Sequence, residues 1–219
     1  GITKVRIGVL PLGTINVFAR ELGIPLDLKR AWQTILQGKE TALDLPKAEF
    51  QRQGKPVSQY FAQLGGAGLD SNAVASVSWE LKKKIGSLAY VAAGLKAMCS
   101  PQPKITVKSA TDSFTGELIL IGNGKFYGGN FVLFPQAELR DGLLDVCVFP
   151  KANWPTLSRA GAGLLTKNLH RLCDTKELCA KEFTLTADRP TFLQLDGENV
   201  GELPAKIFVQ PKLLRVIVP

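Results

Sequence analysis

The sequence predicts an α+β protein that is mostly antiparallel β, a β-sandwich with flanking helices. Three observations predict it. After Thr41, short apolar runs recur at close spacing between Gly, Pro, Asn and Asp turn residues, as in two-layer β folds. Helical periodicity is confined to a few segments. The first 40 residues instead read strand-helix-helix, the texture of an α/β layer belonging to another domain.

"VRIGVL" (residues 5–10) is a short buried strand pattern, rich in β-branched residues. "GTINVFAREL" follows as a helix with Thr14 or Asn16 as its cap, stopped by Gly23 and Pro25. In "LDLKRAWQTILQG" apolar residues fall at 28, 31, 32, 35 and 36, a helical spacing closed by Gly38. "ALDLPKAEF" and "VSQYFAQLG" read as strands joined in a hairpin near Gly54. "GGAGLDSNAV" reads as a glycine-rich turn leading into helical material that Gly86 divides. Beyond Pro101 come the strands "KITVKSA", "FTGELILIGNG", "NFVLF" and "LLDVCVF", then a helix near Thr156 to Leu165. The strands "EFTLTA", "TFLQLDG", "AKIFVQ" and "LLRVIV" finish the chain.

Composition narrows the function classes. The 219 residues are 45% apolar and 21% charged, as in soluble globular domains. No apolar run reaches the roughly 18 residues of a spanning helix. The net charge of +8 admits nucleic acid, an anionic membrane or a phosphorylated ligand. Apart from "LKKK" (81–84) the cations are scattered, and no basic helix carries interleaved aromatics, so nucleic acid is not expected. The four cysteines form no CxxC pair; Cys147, inside "LLDVCVF", reads as a core thiol of a reduced cytoplasmic protein.

Four stretches carry possible chemistry. In "PLGTINVFAR" a Gly-Thr pair, Gly13 and Thr14, leaves a strand and enters a helix. Such a corner offers backbone N–H groups and a hydroxyl to an anion, or serves only as a cap. "IGNGKFYGGNFVLFP" has glycines that permit tight turns and close backbone approach but lacks the P-loop order. Asp141-Gly142 in "AELRDGLLDV" shapes a turn, and Asp141 is also a hard-cation donor. In "LQLDGENVG", Asp196 and Glu198 project to one side if extended, while Gly197 permits a turn that brings them together. Two neighbouring carboxylates can divide the work of base and orienting partner.

Taken in order, "PLGTINVFARELGIP", "GAGLDSNAV", "GSLAYV", "NGKFYGGNFVLFPQAELRDGLLDV" and "LDGE" resemble the diacylglycerol kinase catalytic family, which includes bacterial lipid kinases and sphingosine kinases. The resemblance covers nearly the whole chain. It implies an ATP-dependent transfer of the γ-phosphoryl group to a lipid hydroxyl with Mg2+. Asp196 would be the base, and Glu198 would orient it or hold magnesium. Gly13, Thr14 and Asn16 would belong to the nucleotide site. The second metal position would take Asp141, a carbonyl from Leu143, and Glu138. Val17 and Glu138 depart from the family pattern, standing where many relatives carry Asp and an apolar residue.

The family's GGDGT loop does not occur here. The resemblance therefore implies a carboxy-terminal portion, inactive alone, that lacks its nucleotide-binding domain. Residues 1–40 would be a remnant of that α/β domain with its linker helix, expected to pack poorly without its sheet. Residues 41–210 would be the lipid-kinase β-sandwich, and 211–219 a strand returning to the first domain. The lipid would enter beside the apolar stretch Leu88 to Met98. The positive charge would hold the protein peripherally on a membrane, with "LKKK" the first place to look. The rival readings are an NAD kinase-like enzyme and a non-catalytic lipid- or membrane-binding module of the same fold.

Overall fold

A computed structural model describes residues 5–69 and 101–219. "LKKK", Leu88 to Met98, "GSLAYV" and most of "GAGLDSNAV" lie outside the described residues.

The elements run β1 (Arg6–Ile7), α1 (Val17–Glu21), α2 (Leu28–Gln37), β2 (Lys39–Arg52), β3 (Lys55–Tyr60), β4 (Leu64–Gly68), β5 (Ile105–Lys108), β6 (Ser113–Gly116), β7 (Leu118–Gly122), β8 (Phe126–Tyr127), β9 (Phe131–Val132) and β10 (Leu144–Phe149). Then come α3 (Trp154–Thr166), α4 (Leu169–Leu172), β11 (Lys176–Ala180), β12 (Glu182–Ala187), β13 (Phe192–Leu195) and β14 (Glu198–Val218). Twelve strands form one sheet among the described residues, ordered β11-β10-β7-β4-β13-β14-β12-β5-β6, with β1 and β2 also on β14 and β3 on β2. Except for the parallel β1–β14 pair, the ladders are antiparallel. The sheet folds over itself into a sandwich, as the sequence predicts.

Period-two alternation sorts each central strand between two cores. In β7, Ile119 and Ile121 enter the sandwich interior with Ile105, Leu185, Leu193 and Ile207. Leu118 and Leu120 face the other way, onto a helix layer that includes Ala160 of α3 and Leu169 of α4. β10 divides in the same way, with Val146 and Val148 inward and Cys147 and Phe149 towards the helices. Each fully buried aliphatic side chain contributes roughly 1.5–3 kcal/mol. Gly163 is needed where the helices cross, since a Cβ there would lie 2.7 Å from the Leu169 Cα.

The helix signals behave as the sequence suggests. The Asp27 carboxylate accepts from the Arg30 N–H and starts α2, which Gly38 ends. Asn153 caps α3 through the Thr156 N–H. The β2–β3 hairpin turns on Gln53 and Gly54, both at positive φ, the two-residue turn that suits strand twist.

The strand reading needs four corrections. "FTGELILIGNG" divides into β6, paired with β5, and β7, paired with β4 and β10. "VSQYFAQLG" is two strands. The consecutive N–H groups of Ala62, Gln63 and Leu64 all point at the Asp196 carboxylate, and a strand alternates its donors, so β3 stops at Tyr60. The glycine-rich "turn" begins as the buried strand β4, paired on both edges with β7 and β13. The absence of a side chain on Gly65 lets Leu195 and Ile121 close over it; a Cβ on Gly65 would sit 3.3 Å from the Leu195 Cδ2. "AKIFVQ" and "LLRVIV" are one strand, β14, whose register shifts at 202–206 and 210–214 accommodate Pro204 and Pro211. Helix α4 and strand β11 were not foreseen.

The amino-terminal segment divides. The buried reading of "VRIGVL" is corrected: Val5, Ile7, Leu10 and Leu12 are exposed, because β1 is a two-residue strand paired, among the described residues, only with β14. The α1–α2 unit is seated, with Ala19, Ile24 and Ala31 buried.

Candidate active site

The four stretches meet at one rim of the sandwich through a small number of polar hubs. At the β13–β14 turn, Leu195 pairs with Glu198, and Asp196 and Gly197 are the two turn residues, with φ of 47° and 88°. The carboxylates are therefore adjacent through a tight turn and not through an extended strand. Asp196 is exposed, yet its carboxylate accepts three backbone N–H bonds: Ala62 at 2.6 Å on Oδ2, and Gln63 and Leu64 at 3.0 Å on Oδ1. A carboxylate offers about four lone-pair directions, so one remains. Its own N–H donates to the Leu64 carbonyl. Glu198 is exposed beside it, with no ion pair among the described residues.

Gln63 carries the link onward. Its side-chain Nε2 donates to the Glu21 Oε2 at the end of α1, at 2.9 Å, and the Phe126 N–H donates to the same oxygen at 3.0 Å. Gly124 fits into this junction because it has no side chain: a Cβ would lie 2.6 Å from both Gln63 Nε2 and Glu21 Cδ. Gly122 fits in the same way: a Cβ there would lie 2.3 Å from the Phe134 ring. The Arg20 guanidinium donates to the Asn130 Oδ1 across the same gap. The glycine loop after β7 is thus the seat of α1.

The corner of residues 11–16 departs from the predicted cap. Asn16 occupies the N-cap position of α1 with φ 56°, but its side chain does not cap the helix. Its Oδ1 accepts from the Gly13 N–H at 2.9 Å, and its Nδ2 donates to the Gly13 and Pro11 carbonyls. Asn16 closes the loop, while Gly13 and Thr14 stand exposed on it.

A second hub is Asp44, 1% exposed. Its carboxylate accepts from the Gly142 N–H at 2.6 Å and the Lys212 N–H at 2.7 Å. It thereby clips the Asp141-Gly142 turn to the β14 bulge. Asn123 joins the hubs, donating from Nδ2 to the Asp44 and Ala62 carbonyls. Asp44, Glu21 and Gln63 were missed by sequence reasoning. Their partners are mostly backbone N–H groups of distant segments, which leave no local pattern.

Around that turn, Asp141 Oδ1 accepts from the Leu143 N–H at 2.9 Å. Glu138 is exposed, and its carbonyl is taken by the Arg140 and Asp141 N–H groups. A further acid, Asp145, was also missed, although its place four residues after Asp141 in "DGLLD" was a usable signal. Burial pushes the Asp145 carboxyl up to about 6, with the charges of Asp141 and Glu177 adding in the same direction. Among the described residues no group of three or more His, Cys, Asp or Glu side chains is placed to hold a metal ion. Two buried amide oxygens, Asn123 Oδ1 and Gln63 Oε1, have no hydrogen-bond donor among the described residues.

A β-sandwich that gathers two acidic turns and a glycine-braced corner at one rim defines a domain class. Residues 65–218 match the family model of the YegS C-terminal NAD kinase beta sandwich-like domain, and residues 1–48 match that of the diacylglycerol kinase catalytic domain. The chain is 32% identical over 219 residues to a "Probable lipid kinase YegS-like" protein of Stenotrophomonas maltophilia, spanning 97% of this chain and 69% of that one. It is 30% identical to a diacylglycerol kinase of Bacillus subtilis, spanning 99% of this chain and 70% of the relative. In fold it resembles the crystal structure of a diacylglycerol kinase from Bacillus anthracis, with a TM-score of 0.67 at 22% identity over 94% of this chain and 67% of that one. The chain belongs to the diacylglycerol kinase family of lipid kinases, enzymes whose co-substrate is a nucleotide. No helix among the described residues is long and apolar enough to cross a membrane.

Proposed function

We propose that this chain supplies the base, the metal-binding turn and the lipid-facing half of an ATP- and Mg2+-dependent kinase acting on a bilayer lipid hydroxyl of the diacylglycerol type. The carrying observation is convergence: the Asp196 turn, the glycine loop, α1 and the Asp141 turn are joined at one rim through Gln63, Asn123 and Asp44.

In phosphoryl transfer the protein mainly positions groups and offsets charge. Asp196 is held by three N–H donors with one lone-pair direction unspent, oriented to accept the proton of an attacking hydroxyl. Such a base is worth about 10²–10⁴ in rate. Glu198, adjacent through the turn, orients the hydroxyl. Asp141 and Asp145, with a Leu143 carbonyl, would hold magnesium, which when bound offsets phosphate charge. Glu138 lies at the edge of this set and contributes charge only. Gly13 and Thr14 would meet the triphosphate, with Asn16 shaping their loop. In this reading residues 1–40, with Thr14, and 211–219 belong to an α/β nucleotide-binding unit, and residues 41–210 to the sandwich. The enzyme works in the cytoplasm, peripherally on the membrane.

The test is transfer of labelled γ-phosphate from ATP to a panel of lipids and NAD by the full-length enzyme. Labelled diacylglycerol, lost in Asp196→Asn, is the expected result. Transfer to NAD with all lipids ignored would replace the lipid reading by the NAD kinase one. Function unimpaired by Asp196→Asn would favour a non-catalytic module.

A further inference from the structure

We infer that the outer face of the α3–α4 layer is the surface by which this protein docks on an anionic bilayer. The inference rests on the lipid-kinase reading above and assigns it a surface. In α3, Ala160 and Gly163 are buried. At 100° per residue, Trp154, Ser158, Gly161 and Leu165 form one stripe on the opposite side of the helix. Trp154 is 54% exposed and Leu165 73% exposed, and Leu172 of α4 is 38% exposed. A Cβ added at Gly161 would meet nothing within 4 Å, so the stripe is open between its two large anchors.

The surrounding charge selects the occupant. Residues 150–173 carry Lys151, Arg159, Lys167 and Arg171 and no carboxylate. The nearest acids are engaged: Asp174 with Lys176 at 3.5 Å, and Glu177 with His170. Lys151 and Arg159 also line a recess of about 260 Å³ beside Leu172, whose one acid, Asp174, is the partner of Lys176. An exposed Trp and Leu within a cationic field is the combination that partitions into the headgroup region of anionic membranes.

The experiment is sedimentation of the 219-residue chain with vesicles of phosphatidylglycerol mixed into phosphatidylcholine, and with pure phosphatidylcholine vesicles. Expected is binding to the anionic vesicles, with Trp154 emission shifted to the blue and quenched by brominated lipid. Trp154→Ser with Leu165→Ser should weaken binding at least tenfold. Arg159→Gln with Lys167→Gln should weaken it roughly thirtyfold, as the loss of two cations near the surface implies. These positions are exposed, and Trp154 emission is read in a Trp32→Phe, Trp79→Phe background, because the chain carries three tryptophans. Anionic binding undiminished in both variants, with Trp154 unquenched, would overturn this face and leave the membrane reading standing. No binding to either vesicle would overturn both. A lipid-free dimer abolished by Trp154→Ser would reassign the face to a second copy of the chain.

Discussion

Removing the Asp44 carboxylate is the most direct test of how the rim is held. Asp44 is 1% exposed, and its two oxygens accept the Gly142 and Lys212 N–H groups at 2.6 and 2.7 Å. A hydrogen bond to a charged group is worth about 1.5–3 kcal/mol. Deleting one partner of a buried charged assembly costs about 3–5 kcal/mol. Asp44→Ala leaves both donors without an acceptor, so unfolding free energy should fall by roughly 3–5 kcal/mol. Asp44→Asn keeps one acceptor and turns an amide NH2 towards the other donor, so roughly 2 kcal/mol is expected. Guanidinium unfolding followed by circular dichroism measures both, with an unchanged m-value showing that the native state still unfolds as a unit. A loss below about 1 kcal/mol for Asp44→Ala would refute the argument that this carboxylate fastens the Asp141 turn to the last strand.

Asp196→Asn should lower turnover of the full-length enzyme at least 100-fold; it should also cost about 1–3 kcal/mol, because the Ala62 N–H loses its acceptor, so thermal melts must accompany the assay. Glu21→Ala removes the acceptor of both Gln63 Nε2 and the Phe126 N–H; a loss of about 1–2 kcal/mol by chemical denaturation is expected. Asp145 has a folded value near 6 against 3.8 for the ordinary carboxyl. The folded state therefore binds more protons between these values, and stability falls as pH rises through that window. Melts in chelator should show this slope, and Asp145→Asn should flatten it. Gly122→Ala places a Cβ 2.3 Å from the Phe134 ring, and overpacking of about 1–3 kcal/mol should appear in the same melts.

Local chemistry made much of this fold legible. Asp27 and Asn153 each cap a helix through one nearby N–H, and the Gln53-Gly54 and Asp196-Gly197 turns announce themselves by residue type. β10 is apolar because both its faces are covered. What escaped depends on partners far along the chain. Gly65 sits in a strand whose neighbours, Leu195 and Ile121, fill the space above it. Pro204 and Pro211 look like strand breakers, yet β14 passes both through bulges. At the site, Asp196 and Asp141 stood out from their neighbouring glycines. Asp44 sits inside an ordinary strand pattern, and nothing near it in sequence reveals that its acceptors serve residues 142 and 212. Asn16 shows the converse error: its residue type suggested a cap, and its left-handed backbone made it a loop clasp instead.

The last strand has a mechanical consequence. It begins at Glu198, beside the proposed base, and ends at Val218 against β2 and β1, so one continuous ribbon joins the acidic turn to the amino-terminal corner. A shift between those two regions must bend this ribbon where its ladder is interrupted. The interruption nearest the corner is fastened by Asp44, so the gap between the Asp196 turn and the residue 11–16 loop is spanned by a stiff ruler.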